Sequence, residues 1–149
     1  MIPLAKTAAP SAKALLRQAT ALKPKRSKVS DGLLPSAAHV KQNPNSDHNS
    51  GFAVDLTHDP AFGFNGKELY EKFKADKRVK YIIFSGRIWS ADKGDRAYEG
   101  VNAHKHHIHV SIKETAGNDL SNWFPWLPEP KPLEKIKSKI KPLPKKVIK

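Results

Sequence analysis

A chain of 149 residues with 27 Lys or Arg, 14 Asp or Glu and no cysteine can bury one core, and it excludes disulfides, thiolate metal sites and cysteine nucleophiles. The net charge of +13 lies at the ends: residues 1–30 carry seven Lys or Arg and no acid, and residues 131–149 carry eight Lys against one Glu. The body between them, with twelve basic and thirteen acidic residues, is near neutral, which argues against a core that grips nucleic acid and for a core with polyanion-seeking extensions.

In chain order, residues 1–9 are expected to be loose. Ser11 is expected to cap a helix over Ala12–Leu22, with Leu15, Leu16, Ala19 and Leu22 at helical spacing, and Pro24 ends it. A basic turn follows, then a short helical or irregular segment over Leu33–Val40 that carries His39. NPNSDHN, residues 43–49, is dense in turn formers and reads as loop. Gly51 releases the chain into a short buried strand, FAVDL. Gly66–Asp76 is the best helix, with Leu69, Tyr70 and Phe73 on one side. Val79–Phe84 is β-prone, and Ser-Gly-Arg turns it into a second strand, RIWS. Residues 91–105 read as polar loop, and His107–Ile112 as the last strand. NWFPWLP brings three large aromatics over the core. The pattern predicts an α+β fold, a small antiparallel sheet with flanking helices, over residues 1–128 and ordered from about residue 10. Residues 129–149 form a basic tail rich in Pro and Lys that cannot make a core. No apolar run approaches the roughly 20 residues of a membrane span, so no transmembrane segment is expected, and the N-terminus lacks the apolar stretch of a secretory signal.

The chemistry concentrates in two stretches. In SDHNSGFAVD, a loop histidine, His48, precedes a strand carboxylate, Asp55, and the two can converge on one ion. An ionised carboxylate between Val54 and Leu56 is costly unless paired or bound to metal. The plainer alternative has His48 capping its loop and Asp55 paired with a lysine. The second stretch, NAHKHHIHVS, holds His104, His106, His107 and His109. Read alone it could be a solvated histidine-rich turn. Strand alternation, however, puts His107 and His109 on one face and Ile108 on the other. His48, Asp55 and one strand histidine then make a His₂Asp set with an open fourth position, the composition of catalytic rather than structural zinc. Zinc acidifies water for attack on a carbonyl at neutral pH.

Taken together, the two stretches resemble the zinc peptidases of the LAS group, whose pattern is H-x(6)-D followed by H-x-H. They look closest to the M15-like and murein-endopeptidase branch found among phage endolysins, where the second motif often reads H-x-x-H-x-H, matched by His104, His107 and His109. Ser46, two residues before the first histidine, and the strand-turn region VKYIIFSGRIWS extend the resemblance over roughly residues 26–112. The resemblance implies His48, Asp55 and His109 as zinc ligands, His107 as the histidine that moves protons or steadies the oxyanion, and His104 as an auxiliary active-site residue. Relatives that cut with a carboxylate base place Glu or Asp three residues before the last ligand. Here that position is His106, which favours a branch in which imidazoles act as base.

Around this set, Arg87 in the hairpin turn is a candidate for holding a substrate carboxylate by a bidentate contact, with a solvated turn arginine as the alternative. Ser46 is a candidate substrate-binding residue, and His39 a candidate to order the pocket by bonding to a ligand from behind, or a surface group. Ser46-Asp47-His48 cannot be a triad, because triad members converge from separate elements. The expectation is a monomeric Zn²⁺-dependent peptidoglycan peptidase, an endolysin held in the host cytoplasm before lysis and acting at the periplasmic cell wall. Its basic tail would be drawn to the anionic envelope, and no specific nucleic-acid partner is expected. The rival readings are a metal-dependent nuclease and a non-catalytic polyanion- or envelope-binding protein on the same fold.

Overall fold

A computed structural model describes residues 7–100 and 103–127; the basic tail expected over 129–149 lies outside the described residues. The architecture is α+β. Helices α1 (Pro10–Leu22) and α2 (Ala37–Gln42) precede strand β1 (Ala53–Thr57), and helix α3 (Gly66–Phe73) leads into β2 (Val79–Phe84), β3 (Arg87–Ser90), β4 (Gly94–Ala97) and β5 (His107–Ile112). The five strands form one antiparallel sheet in the order β1-β5-β2-β3-β4, so the last strand is inserted between the first two.

Period-two alternation divides the sheet. Val54, Leu56, Ile82, Ile108, Val110 and Ile112 turn to one face and are almost wholly buried, where they pack with α1, α3 and the aromatic segment after β5. Trp123 and Phe124 are fully buried there. The Trp123 indole donates to the Ser11 carbonyl at 3.0 Å, the Arg78 guanidinium lies 3.6 Å from its ring centroid, and the half-buried Trp126 packs its ring 5.7 Å from Phe73 and 5.5 Å from Phe124, so all three aromatics of NWFPWLP lie against the core as expected. The opposite face carries Asp55, His107, His109 and Tyr81.

Local chemistry explains the boundaries. Helix α1 starts at Pro10, whose missing N–H costs nothing in the first turn, and it has no side-chain cap. The expected Ser11 cap therefore does not form: Ser11 lies inside the helix, fully buried, and its N–H bonds the Gly117 carbonyl at 2.8 Å. Asn65 caps α3 by accepting from the Lys67 N–H, and the helix stops at Phe73, short of the expected Asp76. Ala75 and Asp76 continue with tighter bonds to Lys72 and Phe73. Ser85 and Gly86, at φ 47° and 81°, form the two-residue link of the β2–β3 hairpin, since Phe84 pairs with Arg87; positive φ at both positions matches the strand twist. The main departure from expectation is β4. GDRA has no apolar alternation to announce a strand, yet the open edge of β3 supplies partners, and a solvent-facing edge strand needs no apolar face.

A buried polar node fixes the loop in front of β1. The Arg26 guanidinium donates to both oxygens of Asp31, at 2.9 and 2.7 Å, and Asp31 also accepts from the Thr57 N–H and hydroxyl. Burial alone would raise the Asp31 carboxyl, but the bonds from Arg26 and Thr57 outweigh it and hold it below its ordinary value. A carboxyl lowered in the fold stabilises above its unfolded value and loses that contribution as pH falls through the folded one. Asp31→Asn should therefore lower stability at neutral pH, and its deficit should shrink as pH falls below the ordinary carboxyl value and the wild-type carboxyl protonates. Urea unfolding across that range reads the difference; a deficit independent of pH would contradict it.

Candidate metal centre

The site forms where a loop, β1 and β5 meet. Ser46 caps the 3-10 turn Asp47–Ser50, its hydroxyl accepting from the His48 N–H at 3.2 Å. Gly51 closes the turn at φ 82°, where a Cβ would come within 2.8 Å of the Thr7 carbonyl, so glycine is required there. The result is a buried His48 whose Nδ1 lies 2.8 Å from the Leu33 carbonyl. A carbonyl only accepts, so Nδ1 carries the proton, and Nε2, 3.2 Å from Asp55 Oδ1, is the nitrogen left free to ligate.

Asp55 is held by backbone on both sides. Its neighbour in the sheet is His109, and on its other side its N–H and carbonyl pair with Gly32 at 2.9 and 3.0 Å. His109 presents Nδ1 to Asp55 Oδ1 at 3.2 Å and Nε2 to the Ser111 hydroxyl at 2.8 Å, so its tautomer too can be fixed from behind. One donor atom from each of His48, Asp55 and His109 lies within 4.8 Å of the others. Two imidazoles and a carboxylate so arranged could hold a divalent metal ion, and each imidazole already has an outer hydrogen-bond partner, as ligating histidines generally do.

Electrostatics match that reading. Burial opposes ionisation of Asp55, but hydrogen bonds with His109 and His48 overcome it and hold the carboxyl far below the usual range. Burial likewise works against protonation of His48, and Asp55 reverses it, raising that imidazole. His107, opposite Thr57, places Nε2 3.6 Å from Asp55 Oδ2; its pKa is lowered by burial and by His109 and His48, against the pull of Asp55. It is thus neutral at pH 7, with a lone pair to offer.

The remaining expected residues sort by strand direction. His104, at φ 59°, lines the same cavity of about 420 Å³ as His48, Asp55, His107 and His109, its ring 4.9 Å from that of His107 and 5.7 Å from that of His109. Its carbonyl and that of Ala103 accept from Ser85 and Gly86, so the hairpin tip sets the histidine loop. His39 lines the cavity too, with Nε2 3.1 Å from the Ser46 hydroxyl. Ser46 also lines it, and its hydroxyl is engaged by His48 and His39. His106 is exposed, precedes β5 and is not among the residues lining the cavity; its carbonyl accepts from the His58 N–H. Arg87 departs from expectation. It sits one position out of step with Ile88, on the other face of the sheet, where its guanidinium meets Asp95 Oδ1 at 3.3 Å and lines a separate cavity with Tyr70 and Phe84.

Two residues that sequence reasoning did not single out belong to the site. Tyr81 stacks on His109, ring centroids 5.4 Å apart and planes 18° apart, and burial together with the charge of Asp47 pushes its hydroxyl up to about 12. Ser111 holds the His109 Nε2. Alternation along VKYIIF and HIHVSI was the available signal, since it puts Tyr81 and Ser111 on the histidine face.

Ser46 caps the turn that carries His48, so Ser46→Ala should cost about 1 kcal/mol of stability and weaken any metal binding at His48 by loosening that turn. Calorimetric zinc titration checks this; unchanged affinity would show that the cap does not position His48.

No curated protein and no solved structure matches the chain. A family model described as "VldE, C-terminal domain" matches residues 10–109, from the first residue of α1 to the last member of the His48–Asp55–His109 cluster. Spanning more than half of the sequence and all three of those residues, the match means that this chain belongs to the VldE C-terminal domain family.

Proposed function

We propose that this domain is a zinc-dependent peptidase that hydrolyses an amide bond in the stem peptide or cross-link of bacterial peptidoglycan, acting as an endolysin at the cell wall. The observation that carries the reading is the convergence of one donor atom each from His48, Asp55 and His109 within 4.8 Å, beside the neutral imidazole of His107 and at the wall of an open cavity. When bound, zinc supplies Lewis acidity, polarising a carbonyl and making water nucleophilic at neutral pH.

The chain's own residues do the rest. His107 accepts the proton of the attacking water and returns it to the leaving amine, a role open to it because it is unprotonated at neutral pH. His104, beside it, donates to the oxygen on which charge accumulates. Leu33 and Ser111 hold the two ligand imidazoles in the tautomers that leave His48 Nε2 and His109 Nδ1 free to ligate. Tyr81 is the wall against which the His109 ring is stacked, and its high pKa keeps it a neutral hydrogen-bond donor. His106, exposed and outside the cavity, has no part in this scheme.

Turbidity of purified sacculi tests the proposal. The protein should clear them, EDTA should stop clearing, and added Zn²⁺ should restore it. Sacculi that stay turbid with the zinc-loaded protein would contradict the proposal, as would clearing that survives complete chelation.

A further inference from the structure

The sheet face that carries the metal ligands does not end at β5. Asp55 pairs with His109, His109 with Ile83, Ile83 with Ile88 and Ile88 with Arg96, so one straight cross-strand row runs from the ligands to Arg96. The neighbouring row runs Ser111, Tyr81, Ser90 and Gly94. Directly paired residues share a face, and this stretch of face is the floor of a second open cavity, of about 610 Å³. Tyr81 lines both cavities, so they adjoin at one side chain.

The second cavity is rimmed by Lys80, Lys93, Arg96 and Lys113 against one acid, Asp92. That is a local concentration of positive charge in a body that is otherwise near neutral. Lys80 owes its place to a bulge: between the Val79–Ile112 and Tyr81–Ser111 pairs, β2 advances two residues while β5 advances one. The extra residue leaves the ladder and can be re-aimed, and its Nζ reaches both Asp47 oxygens at 3.2 Å. With Lys80 engaged there, the cations open to a ligand are Lys93, Lys113 and Arg96, whose guanidinium is steadied by the Ser90 hydroxyl and the Gly94 carbonyl, at 3.2 and 2.9 Å.

We infer that this groove is a carboxylate-binding subsite for an acidic peptide that runs from the metal centre across the sheet, with Arg96 and Lys93 as its specificity-determining residues. The inference rests on the peptidase reading for the identity of the peptide. Scale supports it: three strand spacings put Arg96 about 14 Å from His109, the reach of about four extended residues. A stem peptide offers a glutamyl α-carboxylate and a C-terminal carboxylate at such distances, and an arginine fork binds either bidentately.

Binding tests the groove separately from catalysis. The probe is dye-labelled alanyl-γ-glutamyl-lysyl-alanine with both carboxylates free, compared in EDTA with two forms amidated at one carboxylate or the other. Fluorescence anisotropy with the full chain should show the free acid binding at least about tenfold tighter than one of the amidated forms, the scale of a charge-assisted hydrogen bond; that form identifies which carboxylate the groove takes. Arg96→Ala with Lys93→Ala should abolish the preference, with circular dichroism showing an intact fold. Equal binding of all three probes would overturn the subsite, as would a preference that persists in the double variant. Selective binding without any cleavage of sacculi would leave the subsite standing and remove the peptidase reading instead.

Discussion

Asp55→Asn should remove metal binding and wall lysis together while the chain stays folded. The substitution keeps the shape of the side chain and its backbone pairing with Gly32, but it deletes the charge that His48 and His109 share. Loss of an outer hydrogen-bond partner of a ligand costs roughly 10–100-fold in affinity or activity, so loss of the central ligand should exceed that, to the order of a thousandfold or more. His48→Ala and His109→Ala should match it. His107→Ala should differ, retaining the metal and losing turnover, because its Nε2 stands 3.6 Å from Asp55 Oδ2 and it is not one of the three converging donors. Zinc titration followed in parallel with sacculus clearing separates the two classes. Lytic activity surviving in Asp55→Asn would remove the metal centre from the account.

Trp123→Ala should give the largest loss of stability among single substitutions. The side chain is fully buried, packs edge-on against Phe73 at 6.0 Å, covers the Arg78 guanidinium and bonds back to Ser11 in α1. It therefore ties α1, α3 and the chain after β5 into one core. Truncating a buried aromatic costs about 3–5 kcal/mol, which for a chain of this size lowers Tm by on the order of 10 °C. The Arg78 guanidinium, which also bonds Asp76 and the Ser121 carbonyl, would lose its ring cover and add to the cost. Thermal unfolding by circular dichroism reads the shift. A fall of only a degree or two would mean that the C-terminal aromatics decorate the core rather than close it.

The candidate site was legible because its logic is local. Spacing placed His48 and Asp55 together, and period-two alternation put His107 and His109 on the face that β5 then turns towards β1. The α+β architecture followed from the strong strands VKYIIF and HIHVSI and from the amphipathic helix after Gly66. Features set by pairing between distant strands could not be read in advance. β4 exists because β3 has an open edge, although GDRA carries no strand pattern. Arg87 faces away from the histidines because the two-residue turn at Ser85-Gly86 fixes the phase of β3, and a one-residue change of phase moves a side chain to the other face. Lys80 reaches Asp47 because of a bulge, which no composition announces. Ser11 is a helix residue because Pro10 can begin a helix unaided.

The basic groove has the same origin. Lys80, Lys93, Arg96 and Lys113 are spread over 34 residues of sequence, with acids among them, and read as ordinary surface charge. Only the β2-β3-β4 meander, together with the pairing of β5 to β2 that brings in Lys113, lays them around one depression.

The most direct measurement is mass spectrometry of the fragments released from purified sacculi by zinc-loaded and by EDTA-stripped protein. The account predicts that only the zinc-loaded form releases material, and that each product carries a new amino and a new carboxyl terminus from one stem-peptide or cross-link amide. Glycan fragments with new reducing ends, or no soluble product from a protein shown to hold zinc at His48, Asp55 and His109, would contradict it.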